Sequence, residues 1–212
     1  MATSDDLVRR LAAEGIRDER VLGAVRAVPR LAFVPGESSG RAYEDVPLPI
    51  PHGQVTTQPS LIARMLEALA LSGNERVLEV GTGHGYQTAL LAVLAREVWS
   101  VERWPDLAAT ARANLERQGL GGVHVVIGDG TLGLPDAAPF DAIVVAAAFP
   151  TVAAPLVEQL ARAGGRLVQP IGPGGREDVE LFVAAGGVLR RVALVTRAHF
   201  VPLVGEHAYP AG

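Results

Sequence analysis

The stretch from Arg76 to Ala92, RVLEVGTGHGYQTALLA, limits the possible fold more than any other part of the chain. Val77-Leu78-Glu79-Val80 is a short apolar run of the kind that forms a buried parallel strand. Gly81-Thr82-Gly83-His84-Gly85 makes a tight turn, and from about Tyr86 an apolar-periodic helix directs Ala89, Leu90, Ala92 and Val93 inward. Strand, glycine turn and helix together place bare backbone N–H groups and a helix N-terminus at the carboxyl end of a parallel strand. Open α/β sheets bind their ligands there.

Glycine spacing narrows the ligand. A dinucleotide fingerprint needs glycines at its first, third and sixth positions, and counting from Gly81 the sixth is Tyr86. Here they fall at Gly81, Gly83 and Gly85, with Glu79 two residues ahead. A carboxylate in that place repels a pyrophosphate and suits a cationic amino-acid moiety. The pattern E-x-G-x-G-x-G resembles the first motif of S-adenosylmethionine (AdoMet) methyltransferases, although a plain βα turn also accounts for the glycines.

Two further acids extend the pattern. Glu102 ends the apolar run VWSVE, 21 residues after Gly81. In nucleotide-binding α/β folds an acid about twenty positions on accepts hydrogen bonds from ribose hydroxyls; a strand-capping acid is the plainer reading. Asp129, in Gly128-Asp129-Gly130, closes a third strand. Its carboxylate suits the exocyclic amine of adenine, or it forms an Asx-turn. Trp104 is placed either to pack on an adenine face or to join the core.

The rest of the chain fits one doubly wound α/β domain over 1–212, with helices and a loop over 1–59 and a cofactor-binding core over 60–212. Ser4 is positioned to cap a first helix that ends at Gly15, and Asp18 to cap a second that stops at Pro29. Arg30 to Pro59 holds Pro35, Pro47, Pro49, Pro51 and Pro59, which excludes a long helix or central strand. Its apolar residues, Leu31, Phe33, Val34, Tyr43, Val46, Leu48 and Ile50, predict an ordered loop. Helices are expected over 58–71, 105–118 and 151–161, and strands over 98–101, 123–127, 141–146 and 166–170. Val179–Ala184 and Val188–Thr196 flank Gly186-Gly187 as an antiparallel edge hairpin.

Composition excludes several functions. The chain has no cysteine, so a disulfide scaffold, a thiolate metal site and a Cys nucleophile are ruled out. The net charge of −4 is spread without a basic stripe, which argues against a nucleic-acid partner. All cationic residues are arginine, a mark of a GC-rich genome and not of chemistry. No apolar run reaches membrane-spanning length, and the N-terminus lacks a signal-peptide core. A soluble, cytoplasmic, monomeric protein with no membrane partner is expected.

The methyl acceptor is read from what is missing. The stretch after the fourth strand, Ala146-Ala147-Ala148-Phe149-Pro150, lacks the polar side chain used for exocyclic amines. No acid and His cluster has the spacing of a metal site, so no metal is expected. A carboxylate acceptor is ionised at neutral pH and needs no base.

Residues outside the glycine turn resemble one family throughout. Ala32-Phe33-Val34-Pro35, Ala42 to Ile50, Gly53-Gln54 with Gln58-Pro59, the glycine turn itself, Gly128-Asp129-Gly130, Ala138 to Ile143, Gly164 to Val168 and Phe200-Val201-Pro202-Leu203 are similar to protein-L-isoaspartate O-methyltransferases. The resemblance implies a cytosolic repair enzyme that methylates L-isoaspartyl carboxylates in damaged proteins and peptides and leaves S-adenosyl-L-homocysteine (AdoHcy). The ester then cyclises to a succinimide without further catalysis. The family loop G-Q-T-I-S-Q-P reads here Gly53-Gln54-Val55-Thr56-Thr57-Gln58-Pro59, so Thr57 carries the catalytic hydroxyl, unless it merely caps the following helix. The resemblance also implies a cofactor set of Val55, Thr56, Gln58, Glu79, Gly81, Thr82, Gly83, Gly85, Tyr86, Glu102, Asp129 and Gly130. On the acceptor side it implies Gln54, Ala146, Ala147, His199, Val201, Pro202 and Leu203. Val55 for Thr, Pro51 for Gly and His199 for Arg depart from the pattern, and Arg197 lies close by. His52, His84 and His124 are expected to be structural or exposed. Two alternatives stay open: a relative that methylates aspartate in a dedicated peptide precursor, and an AdoMet-binding regulator without catalysis.

Overall fold

The computed structural model describes residues 2–173 and 175–210. Its centre is a seven-stranded sheet in the order β5-β4-β3-β6-β7-β8-β9. Strands β3 (Arg76–Val80), β4 (Glu97–Glu102), β5 (Val123–Ile127), β6 (Ala142–Val145) and β7 (Ala163–Ile171) pair in parallel. Strands β8 (Glu177–Ala185) and β9 (Val188–Ala198) add antiparallel at one edge. The expected doubly wound sheet with its edge hairpin is therefore present. At its open end the hairpin runs two residues further on each strand than periodicity alone indicates, and at the turn β8 gains only Ala185.

Alternation along each strand splits the core between two faces. Val77, Val98, Val144 and Val168 pack on one side with helices α1 (Ser4–Ala13), α2 (Glu19–Ala27), α3 (Pro59–Leu69) and α4 (Tyr86–Leu94). Leu78, Val101, Ile143 and Leu167 pack on the other with α6 (Ala154–Gln159). Helix α5 (Pro105–Arg117) contributes Leu115 to the first cluster. Helix α4 is buried on nearly all sides because α2 lies over it, which explains its run of apolar residues. Arg20 ties the two together by donating to the carbonyls of Leu71 and Leu94.

Local signals set most element ends. Asp18 accepts from the N–H groups of Arg20 and Val21 and caps α2 as expected. The first helix is capped one residue earlier than expected: Thr3, not Ser4, takes the Asp6 N–H, and Asp6 returns the bond in a capping box. Pro155 stands in the first turn of a sixth helix much shorter than the 151–161 span, because Ala153 and Leu160 on either side of it are extended. Val93 is 43% exposed, since it lies on the solvent-facing edge of α4 that α2 leaves uncovered.

The proline-rich segment folds as an ordered structure. Two 3₁₀ turns, Arg30–Phe33 and Gly36–Arg41, lead into a two-stranded antiparallel flap made of β1 (Leu48–Ile50) and β2 (Gln54–Thr56). Its organiser is Arg30, which is fully buried. The guanidinium donates to the carbonyls of Ala42, Glu44, Val46 and Thr57 at 3.0–3.2 Å.

Candidate active site

A cavity of about 390 Å³ opens at the carboxyl ends of β3, β4 and β6, beneath the flap. This is the switch point of the sheet, where β3 has β4 on one side and β6 on the other. The Gly81 N–H is bound by the Val101 carbonyl and the Ala146 N–H by the Val80 carbonyl, so three strand tips form a single floor.

The glycine turn needs positive φ at Gly81 (+96°) and Gly83 (+55°), both on the cavity wall. A Cβ on Gly83 would stand 3.4 Å from Ile50 of the flap. Glu102 is buried and faces the cavity. One carboxylate oxygen accepts from the Gly83 N–H at 2.8 Å and the other from the Trp104 N–H at 3.0 Å. The bond to Gly83 locks the acid to the turn. Thr82, Tyr86 and Gly130 complete this wall. Tyr86 lies against Phe33, with the Arg30 cation 5.8 Å from its ring centre, and burial pushes its phenol pKa up.

The opposite lining comes from the loop and the chain's end. Gln54, Val55, Thr56, Thr57 and Gln58 border the cavity together with Ala146, Ala147, His199, Val201, Pro202 and Leu203. The Val201-Pro202-Leu203 segment is held by backbone bonds to Ala148, and buried Glu177 accepts from the Phe200 N–H at 3.0 Å. Helix α3 is capped by Asp45, whose carboxylate takes the Ser60 N–H at 2.7 Å. Thr57 therefore does not serve as the cap, and it borders the cavity. His199 is exposed at the mouth, and Arg197 nearby is paired with Asp178 at 2.7 Å.

Three residues expected at the cofactor do not line the cavity. Glu79 alternates with Leu78 and Val80 and so points to the face covered by α4. There it accepts from Thr88 Oγ1 at 2.5 Å and Ser100 Oγ at 2.6 Å, completely buried. Burial pushes its carboxyl up to about 7. Ser100 also bonds Thr82 at 2.6 Å, so Glu79 supports the glycine turn from below. Gly85 is spent on packing: it begins α4 at φ +92°, with α5 residue Ala111 3.4 Å from where its Cβ would lie. Asp129 makes the Asx-turn, accepting from Thr131, while its other oxygen takes the Glu206 N–H at 2.7 Å. Although burial opposes it, these bonds hold the Asp129 carboxyl below its ordinary value.

Two contacts have no counterpart in the local sequence pattern. Arg30, the first residue of the 3₁₀ turn that follows Pro29, gives no periodic or motif signal. His52, at the flap tip, stacks on Trp104, which borders the cavity.

The residues present fit AdoMet. A cavity of this size suits a ligand of its class, two glycines leave room for close backbone approach, and a buried carboxylate stands at the tip of the second strand.

Comparison with known proteins gives a consistent result. The family model described as protein-L-isoaspartate(D-aspartate) O-methyltransferase matches residues 2–208. A relative from Methanoculleus marisnigri named protein-L-isoaspartate O-methyltransferase is 51% identical over 93% of this chain and 89% of its own. One of the same name from Anaeromyxobacter dehalogenans is 52% identical, over 98% of this chain and 99% of its own. Among solved structures, a protein-L-isoaspartate O-methyltransferase superposes with a TM-score of 0.86 at 28% identity, over 97% of this chain and 67% of its own. A Plasmodium falciparum structure, described as in complex with S-adenosyl-L-homocysteine, shares the fold at a TM-score of 0.82 and 24% identity, over 96% and 99% of the two chains.

Proposed function

The chain belongs to the protein-L-isoaspartate(D-aspartate) O-methyltransferase family, and from that premise we propose how its own residues carry the reaction. The protein transfers a methyl group from AdoMet to the carboxylate of L-isoaspartyl residues in damaged proteins and peptides. The observation that carries this reading is that Thr57 and Glu102 border the same cavity.

AdoMet supplies an electrophilic methyl group on a sulfonium. The acceptor is already an anion at neutral pH, so the protein's task is to position it and exclude water. Glu102 accepts from the ribose hydroxyls, its orientation fixed by the Gly83 bond. The backbone of Gly81 to Gly83, with Thr82, Tyr86 and Gly130, holds the rest of the cofactor alongside Val55, Thr56 and Gln58. Glu79 and Asp129 act indirectly, one under the glycine turn and the other by tethering the chain's end. The Thr57 hydroxyl orients the acceptor carboxylate, and Ala146, Ala147, Val201, Pro202 and Leu203 wall it from water. Gln54 and His199 meet the peptide at the mouth.

The same reading makes the chain a single catalytic domain, monomeric and cytoplasmic, with neither nucleic acid nor membrane as partner. Among the described residues no helix is long and apolar enough to cross a membrane. Purified protein is incubated with methyl-labelled AdoMet and two peptides that differ only in an isoaspartyl or an aspartyl linkage. Label is expected on the isoaspartyl peptide; equal labelling of both, or of neither, overturns the proposal.

A further inference from the structure

The flap carries a side chain whose placement the reaction scheme does not explain. Strands β1 and β2 are joined by Pro51-His52-Gly53, and the turn is closed by the Gln54 N–H on the Pro51 carbonyl at 3.2 Å. His52 and Gly53, the two central residues of that turn, both have positive φ, +62° and +67°. Asn, Asp or Gly sits at the first of those positions with less strain than His. A residue kept in a left-handed conformation points to work done by its side chain.

That side chain reaches across the cavity rim to the cofactor-binding core. The His52 ring lies flat on Trp104, with centroids 3.9 Å apart and planes 2° from parallel. Its Nε2 is 2.8 and 2.9 Å from the two oxygens of Asp106, in the first turn of α5. The contact joins positions 52 and 54 residues apart in sequence. Trp104 is two residues beyond Glu102, and its N–H binds that carboxylate. Ile50, on the strand leading to His52, reaches the glycine turn at Gly83.

We propose that His52 is a positioning residue that latches the β1–β2 flap to Trp104 and Asp106. The latch holds the flap closed over the cofactor and keeps the loop that continues into Thr57 in register with it. Cofactor entry and product release then require the His52 stack and its bond to Asp106 to open. The inference rests on AdoMet occupying the cavity, and its effect falls on cofactor exchange before it falls on the transfer itself.

The test uses the full chain with His52→Ala, His52→Phe, which keeps a stacking ring, and Asp106→Ala, which breaks the bond from the core side. Amide exchange over residues 48–56 is measured without ligand, and AdoHcy dissociation by stopped flow. His52→Ala is expected to speed flap exchange and AdoHcy release by about tenfold, the worth of one aromatic pair and one hydrogen bond together. His52→Phe and Asp106→Ala are expected to fall between that variant and wild type. The apparent KM for AdoMet should change more than kcat, because the hydroxyl of Thr57 is untouched. Unchanged flap exchange in folded His52→Ala or Asp106→Ala refutes the latch, whatever the protein binds. Wild-type protein that fails to bind AdoHcy while its flap exchange responds to the substitutions refutes the cofactor reading on which the latch's role in release rests.

Discussion

Replacing Glu79 by Gln should stabilise the protein above neutral pH and do little below pH 5. The carboxyl is fully buried under α4, and the desolvation of its charge, with the nearby Glu102 carboxylate adding to it, lifts it from an ordinary 4.5 to about 7 despite bonds from Ser100 and Thr88. The folded state thus holds the proton more tightly than the unfolded chain. As pH rises through 4.5 the unfolded form ionises first, and stability drains away until the folded group ionises near 7. Above that the loss is complete and flat. Each pH unit across the interval is worth about 1.4 kcal/mol, giving about 3 kcal/mol in all. Glutamine keeps an acceptor oxygen for Thr88 and Ser100 but carries no charge, so it escapes this loss. Urea unfolding of wild type and Glu79→Gln without ligand, at pH 5, 6, 7 and 8, checks the reasoning. The difference in unfolding free energy should grow by about 3 kcal/mol from pH 5 to pH 8, seen as roughly 6–12 °C in Tm for a chain of this length. Other titrating groups are common to both proteins and cancel. A difference that stays constant across the range would show that Glu79 is ionised throughout, and the argument from burial would be wrong.

Thr57→Val should lower kcat by about one to two orders of magnitude while AdoHcy affinity, measured by calorimetry, stays within about twofold, because the lost hydroxyl orients the acceptor and not the cofactor. Equal loss of both would assign Thr57 a structural role. Arg30→Met strips four carbonyls of their donor in a buried site. It should cost more than about 3 kcal/mol in urea unfolding, with Arg30→Lys intermediate since its single ammonium cannot span all four. Gly83→Val places a β-branched side chain at φ +55° and against Ile50. It should abolish detectable AdoHcy binding, and retention of wild-type affinity would remove the glycine turn from the cofactor site.

What could be read before the fold was known is local in origin. The strand, turn and helix from Arg76 to Leu94 follow from periodicity and glycine alone, and Glu102 from the spacing to the next strand tip. The cap of α2 and the Gly186-Gly187 hairpin come from short-range chemistry, whereas α1 starts one residue before the expected Ser4, at the Thr3–Asp6 capping box. Thr57 was found by its motif and lies at the cavity. Errors arose where a residue's partner is remote in sequence or its facing is set by a neighbouring element. Glu79 looked like a cofactor contact because it precedes the glycines, but alternation along β3 turns it toward α4. Asp129 had two readings, and the return of the chain at Glu206 decided between them.

The amino-acid sequence on its own determined the order of elements, the parallel sheet with its antiparallel edge, and the ends of strands where a ligand could sit, because these depend on patterns repeating every two to four residues. Tertiary structure alone decided which acid faces the cavity, which arginine holds the proline-rich segment, and that His52 meets Trp104. Those outcomes depend on side chains brought together from distant parts of the chain, where no local period records the pairing.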